Sequence, residues 1–326
     1  MMDVSVIIPA RNEEKHIAEC LDSLFAQDYP KDRFEIIVID GMSTDRTRAI
    51  VGDYPGVRLL DNPNKIAPAG TNIGIKASKG EIIVRIDAHA KVEKDFISQS
   101  VKYLRQTGAD CVGGPITTLG KGYLGQAISY VLSSPFGTGS KFRYSNKPGY
   151  VDTVPFGAYR KEAFDRFGLF DESIPRSEDL EFNHRIIKAG GKIFMTPDIK
   201  SYYYCRSTVG GMIRQNFLNG VDVVKAIKKD RSSISIRHLI PFFFISGLTM
   251  SLLFAFISSF GLFLFFAIFL IYSIANLFFS IGIVLKHKWK YFPVLLVLFF
   301  CLHLSYAAGT ILGLFRLMLL LPELIC

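Results

Sequence analysis

An α/β domain with a mostly parallel sheet flanked by helices, followed by a C-terminal transmembrane helical region, is the architecture this sequence predicts. Three observations carry it. Through the N-terminal two thirds, short apolar runs alternate with apolar residues at helical spacing, the signature of strand–helix–strand units. From Leu239 to Cys326 there are only four basic residues (Lys286, Lys288, Lys290, Arg316) and one acid, Glu323. Within that stretch, Leu239–Leu285 carries no charged residue at all.

The first expected strand is Val4–Ile8, stopped by Pro9. A helix from about Glu13 to Ala26 follows, with Ile17, Leu21, Leu24 and Phe25 at helical spacing and Asn12 as its N-cap. Glu35–Ile39 reads as a second strand ending at Asp40-Gly41, with Ser43 or Thr44 capping a short helix through Ile50. Val57–Leu60 is a short third strand and Ala69–Ala77 a helix. Ile82–Ile86 is a fourth strand ending at Asp87-Ala88-His89. Further on, the pattern predicts a helix over Phe96–Arg105, a strand near Cys111, a strand and turn over Val154–Arg160, and a helix opening at Arg176-Ser177-Glu178-Asp179. Ser177 is the expected cap of that helix.

A hydrocarbon core of about 30 Å takes about 20 helical residues, so Leu239–Leu285 is too long for one span. Ser258, Ser259 and Gly261 offer a turn between two, and Pro293–Phe315 makes a third. The predicted division is a domain over residues 1–230 and a membrane domain over 231–326, with spans at about 239–259, 262–285 and 293–315. Lys225, Lys228, Lys229, Arg231 and Arg237 precede the first span, and Lys286, Lys288 and Lys290 follow the second. Both clusters fall on one side, which the positive-inside rule makes cytoplasmic; the expected location is the inner cell membrane, multi-pass, with the N-terminal domain in the cytoplasm. His303 and Tyr306 stand one turn apart inside the third span, either as functional groups or as packing and hydrogen-bonding residues.

The net charge of +9 does not point to nucleic acid, because no basic run is interleaved with aromatics and no nucleic-acid module is recognisable. A mean hydropathy of +0.28 excludes a disordered chain. The five cysteines are scattered and never spaced Cys-x-x-Cys, so neither a zinc site nor a disulfide framework is expected. Met1-Met2-Asp3 leads into the first strand without a basic region, and no signal peptide is expected there.

Open parallel sheets bind ligands at the carboxyl ends of their strands. That selects Pro9–Glu13, Asp40-Gly41 and Asp87-Ala88-His89. Neither Gly-x-Gly-x-x-Gly nor a P-loop is present, so a nucleotide diphosphate would be neutralised by a metal. Asp87 and His89 are the cluster with suitable chemistry, and a carboxylate with an imidazole leans toward Mn²⁺ over Mg²⁺. Locally, a structural turn explains Asp87 or Asp40-Gly41 equally well.

Taken together, Ser5-Val-Ile-Ile-Pro-Ala-Arg-Asn-Glu-Glu14, Ile36-Ile-Val-Ile-Asp40-Gly-Met-Ser-Thr-Asp45, Ala69-Gly70-Thr-Asn72-Ile-Gly74 and Ile86-Asp87-Ala-His89 resemble family 2 glycosyltransferases of the GT-A fold over residues 3–230. With its apolar tail the chain is similar to succinoglycan-type glucosyltransferases of exopolysaccharide assembly. The resemblance implies that Asp40 binds the uracil imide and that Pro9, Arg11 and Glu13 line the nucleoside pocket. It implies that Gly70 and Gly74 let the chain approach the ribose, where the bland alternatives are a loop and a helix-packing contact. It implies that Asp87 and His89 stand for the metal-binding Asp-x-Asp, with histidine as the departure. Asp179 corresponds to the general base and Glu178 to its neighbour, although a capped helix with two acids in its first turn explains the pair locally.

Gln215 is followed by Leu218 and Asn219 where processive synthases carry Arg and Trp, which argues against processive synthesis. The implied activity is an inverting, metal-dependent hexosyl transfer from a UDP-sugar, with Mn²⁺ or Mg²⁺ as cofactor, to a polyprenyl diphosphate-linked saccharide acceptor at the membrane. Two alternatives stay open: a polyprenyl-phosphate sugar synthase, and a non-catalytic nucleotide-sensing membrane subunit of a polysaccharide complex.

Overall fold

A computed structural model describes residues 2–138, 141–145, 147–176, 178–229 and 236–319. Ser177 and Arg231 lie outside the described residues. The chain forms two compact units: Met1–Thr117 with Lys141–Tyr204, and Thr118–Ser140 with Cys205–Cys326. A cut by charge alone falls near residue 230, whereas the contacts group 118–140 and 205–229 with the C-terminal helices.

The first unit begins β1 (Val4–Ala10), α1 (Ile17–Phe25), β2 (Phe34–Asp40), α2 (Thr47–Gly52), β3 (Val57–Asp61), α3 (Ala67–Ala77) and β4 (Ile82–Arg85). It continues with β5 (Ala90–Val92), α4 (Phe96–Thr107), β6 (Cys111–Gly113) and β7 (Ile116–Leu119), the last reaching into the second unit. The second unit adds α5 (Gly122–Leu132). The chain then returns to the first unit as β8 (Gly149–Tyr150), β9 (Ala158–Arg160), α6 (Lys161–Phe167), α7 (Glu178–Lys188), β10 (Ile193–Met195) and β11 (Ser201–Tyr204). The main sheet has the order β3-β2-β1-β4-β9-β6-β10-β8. The β3-β2-β1-β4 half is parallel, β9 runs antiparallel to β4 and β6, and β10 is parallel to β6.

Strand alternation sorts the core into two layers. Val4, Val6 and Ile8 of β1 pack with Ile17, Cys20, Leu21 and Leu24 of α1 on one face. Ile7 joins Ile37, Ile39 and Ile75 on the other. There α3 sits so close that a Cβ on Gly74 would lie 2.5 Å from Ile7 Cγ2. Gly74 is therefore a helix-packing glycine.

Two local expectations are corrected. The first strand runs through Pro9 to Ala10, because β4 pairs with β1 only as far as Ile7↔Arg85, and the missing N–H of Pro9 faces the side where that ladder has ended. Helix α1 starts at Ile17, not Glu13, and Asn12 is no cap: it adopts φ +55° in the loop before it.

The second unit continues with α8 (Val209–Lys229), α9 (Ile240–Ala255), α10 (Ser259–Lys286) and α11 (Phe292–Leu319). Helix α8 lies directly on α11 at glycines: a Cβ on Gly309 would meet the Phe217 carbonyl oxygen at 1.9 Å, and one on Gly220 would meet that of Tyr306 at 2.1 Å. Two helical stretches, Ser259–Lys286 and Trp289–Leu319, are long and apolar enough to cross a membrane. The expected first span is a helix of 16 residues. At 1.5 Å per residue it is about 24 Å long, short of the hydrocarbon core. Its end comes where Ser258 accepts the Phe260 N–H and turns the chain into α10.

Candidate active site

The carboxyl ends of β1, β2 and β3 are level: the ladder aligns Ala10 with Asp40 and Asp40 with Asp61. Two loops leaving this edge are stitched together. The Asn12 N–H donates to Ser43 Oγ at 2.9 Å, and the Thr44 N–H donates back to Asn12 Oδ1 at 2.8 Å. The Glu13 N–H donates to Thr47 Oγ1 at 2.8 Å and the Glu14 N–H to Asp45 Oδ2 at 3.1 Å. Asparagine tolerates the left-handed backbone this needs better than most residues.

The Asp40 side chain is fully buried. Its Oδ2 accepts from the Ser43 N–H at 3.0 Å and from Arg48 Nη1 at 2.9 Å. Burial works to raise its pKa, but Ser43 and Arg48 outweigh burial and hold the carboxyl below the usual carboxylate range. Its Oδ1 is buried with no hydrogen-bond partner. An unused, ionised, buried oxygen is costly unless a ligand supplies a donor, such as the N–H of a planar base.

Beside it, Asn62 donates Nδ2–H to the Ile66 carbonyl at 2.8 Å while its Oδ1 is likewise buried without a partner. A Cβ on Gly70 would lie 3.1 Å from Asn62 Nδ2 and 3.5 Å from Pro9 Cβ. Pro9, Asp40, Asn62 and Gly70 thus form one neighbourhood. Arg11 lies at its edge, with its stem against Gly41 and its guanidinium 3.5 Å from the Lys65 carbonyl, a long contact.

At the end of β4, the Arg85 guanidinium joins two carboxylates. Its Nη2 is 3.0 Å from Asp87 Oδ1 and 2.8 Å from Glu178 Oε1. Burial opposes the charge on Arg85, but Asp87, Glu178 and Asp179 together keep it firmly protonated. Its Nε is buried with no partner. Glu178 is buried at the start of α7, and Asp179, half-buried, accepts the Leu180 N–H at 2.9 Å. Burial raises the pKa of both carboxyls against the pull of Arg85, favouring a proton on this pair more than on an ordinary surface acid.

Glu13 Oε1 lies 3.0 Å from His89 Nδ1. With the imidazole neutral, Nδ1 is the protonated nitrogen and Nε2 carries the lone pair, the arrangement by which a carboxylate orients a metal-binding histidine. Among the described residues no group of three or more His, Cys, Asp or Glu side chains forms a ready metal cage. A divalent cation would take Asp87 and His89 and complete its shell from phosphate oxygens and water, the usual pattern beside nucleotides. The donor set fits such a cation.

The predicted residues therefore fall into three groups: Pro9, Asp40 and Gly70 around Asn62; Glu13 with His89; and Asp87 tied to Glu178 through Arg85. Arg85, Asn62 and Arg48 escaped the sequence reading. Arg85 had a visible signal, a lone charge inside the apolar run Ile82-Ile-Val-Arg-Ile86.

Comparison with known proteins bears on the family and the fold. The model of glycosyl transferase family 2 matches residues 5–168. A Methanococcus voltae protein, dolichyl N-acetyl-alpha-D-glucosaminyl phosphate 3-beta-D-2,3-diacetamido-2,3-dideoxy-beta-D-glucuronosyltransferase, is 31% identical over 314 residues, 92% of this chain and 94% of that one. The succinoglycan biosynthesis protein ExoA of Rhizobium meliloti is 31% identical over 243 residues, 72% of this chain and 73% of its own. Among solved structures, the mannosyltransferase PcManGT from Pyrobaculum calidifontis, in complex with GDP-Man and Mn²⁺, matches with a TM-score of 0.60 at 19% identity, covering 96% of this chain and 87% of that one. S. aureus TarS in complex with UDP-GlcNAc matches with a TM-score of 0.52 at 18% identity, covering 95% and 90%. The last two likenesses establish the GT-A-like fold.

Proposed function

The chain belongs to glycosyl transferase family 2, and we propose that it is an inverting hexosyltransferase that moves a sugar from a UDP-hexose to a lipid-linked saccharide. The observation that carries this reading is the Asp87–Arg85–Glu178 chain, which ties the donor-side carboxylate to the acceptor-side acids on one edge of the sheet.

Asp40 Oδ1 accepts the imide N–H of uracil, with Pro9, Gly70 and Asn62 around the nucleoside. Asp87 and His89 would hold a divalent cation, Mn²⁺ or Mg²⁺, which when bound would supply positive charge against the leaving diphosphate. Glu13 keeps His89 in the metal-binding tautomer, and Arg11 stands at the rim of the nucleoside site. Asp179 takes the proton from the attacking acceptor hydroxyl. As the new C1–O bond forms, the bond from C1 to the diphosphate oxygen breaks on the opposite face, so an α-linked donor yields a β-linked product. Glu178, held by Arg85, positions this pair and touches no substrate in this scheme.

The dolichyl phosphate-linked substrate in the name of the M. voltae relative supports a lipid-linked acceptor here. The two long apolar helices support a membrane location. With α9 as a short first span, the exposed lysines between them, Lys286, Lys288 and Lys290, support placing that loop and the catalytic unit, residues 1–117 with 141–204, in the cytoplasm.

The test is transfer and donor hydrolysis by the full-length protein across a panel of UDP-, GDP- and dTDP-sugars, with Mn²⁺ and with Mg²⁺. Turnover restricted to a UDP-hexose and abolished by chelation is expected. Turnover with a GDP-sugar, or undiminished by chelator, would reject the donor or the metal assignment respectively.

A further inference from the structure

We infer that residues 122–138 form a re-entrant membrane segment that enters the bilayer beside α10 and α11 and reaches about half its depth, with lipid acyl chains as its partner. The inference rests on α10 and α11 crossing a bilayer, as proposed above.

The sequence permits it. No charged side chain occurs between Lys121 and Lys141, a gap that the count of C-terminal spans does not include. Helix α5 has 11 residues. It is therefore about 16 Å long, half of a hydrocarbon core of about 30 Å: too short to span, and in the range of re-entrant segments.

The contacts of α5 then give its depth. At its start, the Tyr123 hydroxyl donates to the Lys290 carbonyl at 2.7 Å, and its ring stacks on Tyr291 at 5.0 Å. Tyr291 donates to Gln126 Oε1 at 2.8 Å, and Tyr130 stacks on His287 at 4.0 Å. His287 and Lys290 belong to the exposed Lys286–Lys290 loop and the buried Tyr291 directly follows it; lysines and aromatics together mark a membrane–water interface. Beyond the end of α5, Phe136 packs instead on Phe279, Phe299 and His303 at 5.0, 5.1 and 4.8 Å. Phe279 is seven residues inside the end of α10, and His303 is eleven residues inside the start of α11. At 1.5 Å per residue, Phe136 is about 10–16 Å below the level of the loop.

Non-helical backbone at that depth must have its polar groups satisfied by protein. The chain after α5 meets the requirement. The Phe136 N–H donates to Ser134 Oγ at 3.3 Å, the Gly137 N–H to the Ser134 carbonyl at 3.0 Å, and Thr138 Oγ1 to the Leu132 carbonyl at 3.2 Å. His303 Nε2 lies 2.8 Å from the Phe136 carbonyl, which can only accept, so Nε2 carries the proton. Its Nδ1 then accepts from the Tyr272 hydroxyl at 3.0 Å. This assigns a role to the one histidine within α11: it caps the turn that ends the inserted segment. Tyr123 and Leu124 remain 43% and 38% exposed near the interface, apolar surface that lipid would cover.

Depth can be read directly. In full-length protein with its one tryptophan replaced (Trp289→Phe), single tryptophans are introduced as Leu124→Trp, Pro135→Trp, Ile271→Trp and Asp53→Trp, with Thr138→Trp as a second deep reporter. The protein is reconstituted into phosphatidylcholine vesicles brominated near the headgroup end or near the methyl end of the acyl chain. The methyl-end lipid should quench the reporters at 135 and 138 along with that at 271, and the headgroup-end lipid the one at 124. Aqueous iodide should quench only that at 53. Adding His303→Leu should move the loss of emission at 135 toward the shallow lipid. If 271 is quenched by the deep lipid while 135 and 138 are quenched by iodide as 53 is, the re-entrant segment is overturned and the membrane helices stand. If iodide also reaches 271, both are overturned.

Discussion

Arg85 lies 2.8 Å from Glu178, with the two side chains only 11% and 6% exposed. A buried cation gripping a buried acid is stable only while both are present, because either one alone has lost its hydration without compensation. The same guanidinium nitrogen also holds Asp87, so one residue orders both ends of the candidate site.

Arg85→Met should therefore destabilise the first unit by about 3–5 kcal/mol, the usual cost of leaving one partner of a buried pair alone. The double variant Arg85→Met/Glu178→Leu should recover much of that loss while transfer activity stays absent. Denaturant unfolding of the three proteins beside a transfer assay checks this. Additive losses in the double variant would mean that the two side chains do not act as a pair.

Glu13→Gln tests the orientation of His89. The amide can no longer hold the imidazole as a carboxylate does, and second-shell losses of this kind weaken metal affinity about 10–100-fold. Calorimetry of Mn²⁺ binding in the presence of UDP should register that drop, with His89→Ala losing more. UDP binding without metal should be unchanged in both. Equal Mn²⁺ affinity in wild type and His89→Ala would remove His89 from the metal site.

Asp40→Asn keeps the shape of the side chain but weakens its acceptor. A hydrogen bond to a charged group contributes about 1.5–3 kcal/mol. UDP affinity should fall by roughly the corresponding 10–100-fold, while affinity for pyrophosphate stays the same. A parallel loss of pyrophosphate binding would mean that Asp40 only shapes the loop.

Glu35 supplies a stability signal remote from catalysis. It is buried on β2 and accepts from Ser5 Oγ at 2.8 Å, the Lys79 N–H at 2.7 Å and Arg58 at 2.7 Å. Burial raises its pKa, but these donors outweigh burial and bring it below the ordinary value. A carboxyl with a lower pKa folded than unfolded stabilises the fold above the unfolded value of about 4.3, and that contribution is lost as pH falls through the folded value. Glu35→Gln should cost about 1–2 kcal/mol near neutrality and flatten the fall in stability on the acid side. Unfolding curves at pH 7 and across the acid range would reveal it; an unchanged acid slope would contradict the assignment.

What could be read from the sequence follows the range of the interactions involved. β1, β2, β3 and β4 were legible because alternation and strand-end Asp are local signals, and with them came Asp40, Asp87 and His89. Arg85 was not, since its partner Glu178 lies 93 residues further on and no local pattern announces it. Asn12 read as a helix cap because its side chain prefers to bind nearby N–H groups. It does so, but across to Thr44 rather than within its own helix. Segment 118–138 carries no clear local signal because its apolar stretch is shorter than a span, and only its contacts with the long helices reveal its place.

Asp179 decides whether the site is catalytic. Its neighbour Glu178 is buried and committed to Arg85, whereas Asp179 is more open and accepts the Leu180 N–H at 2.9 Å, leaving room for an acceptor hydroxyl. If Asp179 served only as a first-turn acid of α7, Asp179→Asn would cost under about 1 kcal/mol of stability and leave transfer nearly intact. As the general base it should leave folding and UDP affinity alone and lower the transfer rate about 10²–10⁴-fold. Burial raises its pKa, so the wild-type rate should rise with pH as the carboxyl loses its proton, and Asp179→Asn should lose that rise. Glu178→Gln, which keeps an acceptor for Arg85, should lower the rate less and stability more. Near-normal turnover of Asp179→Asn with a lipid-linked acceptor would remove it as the base and transfer that role to Glu178, whose hold on Arg85 would then have to break during the reaction.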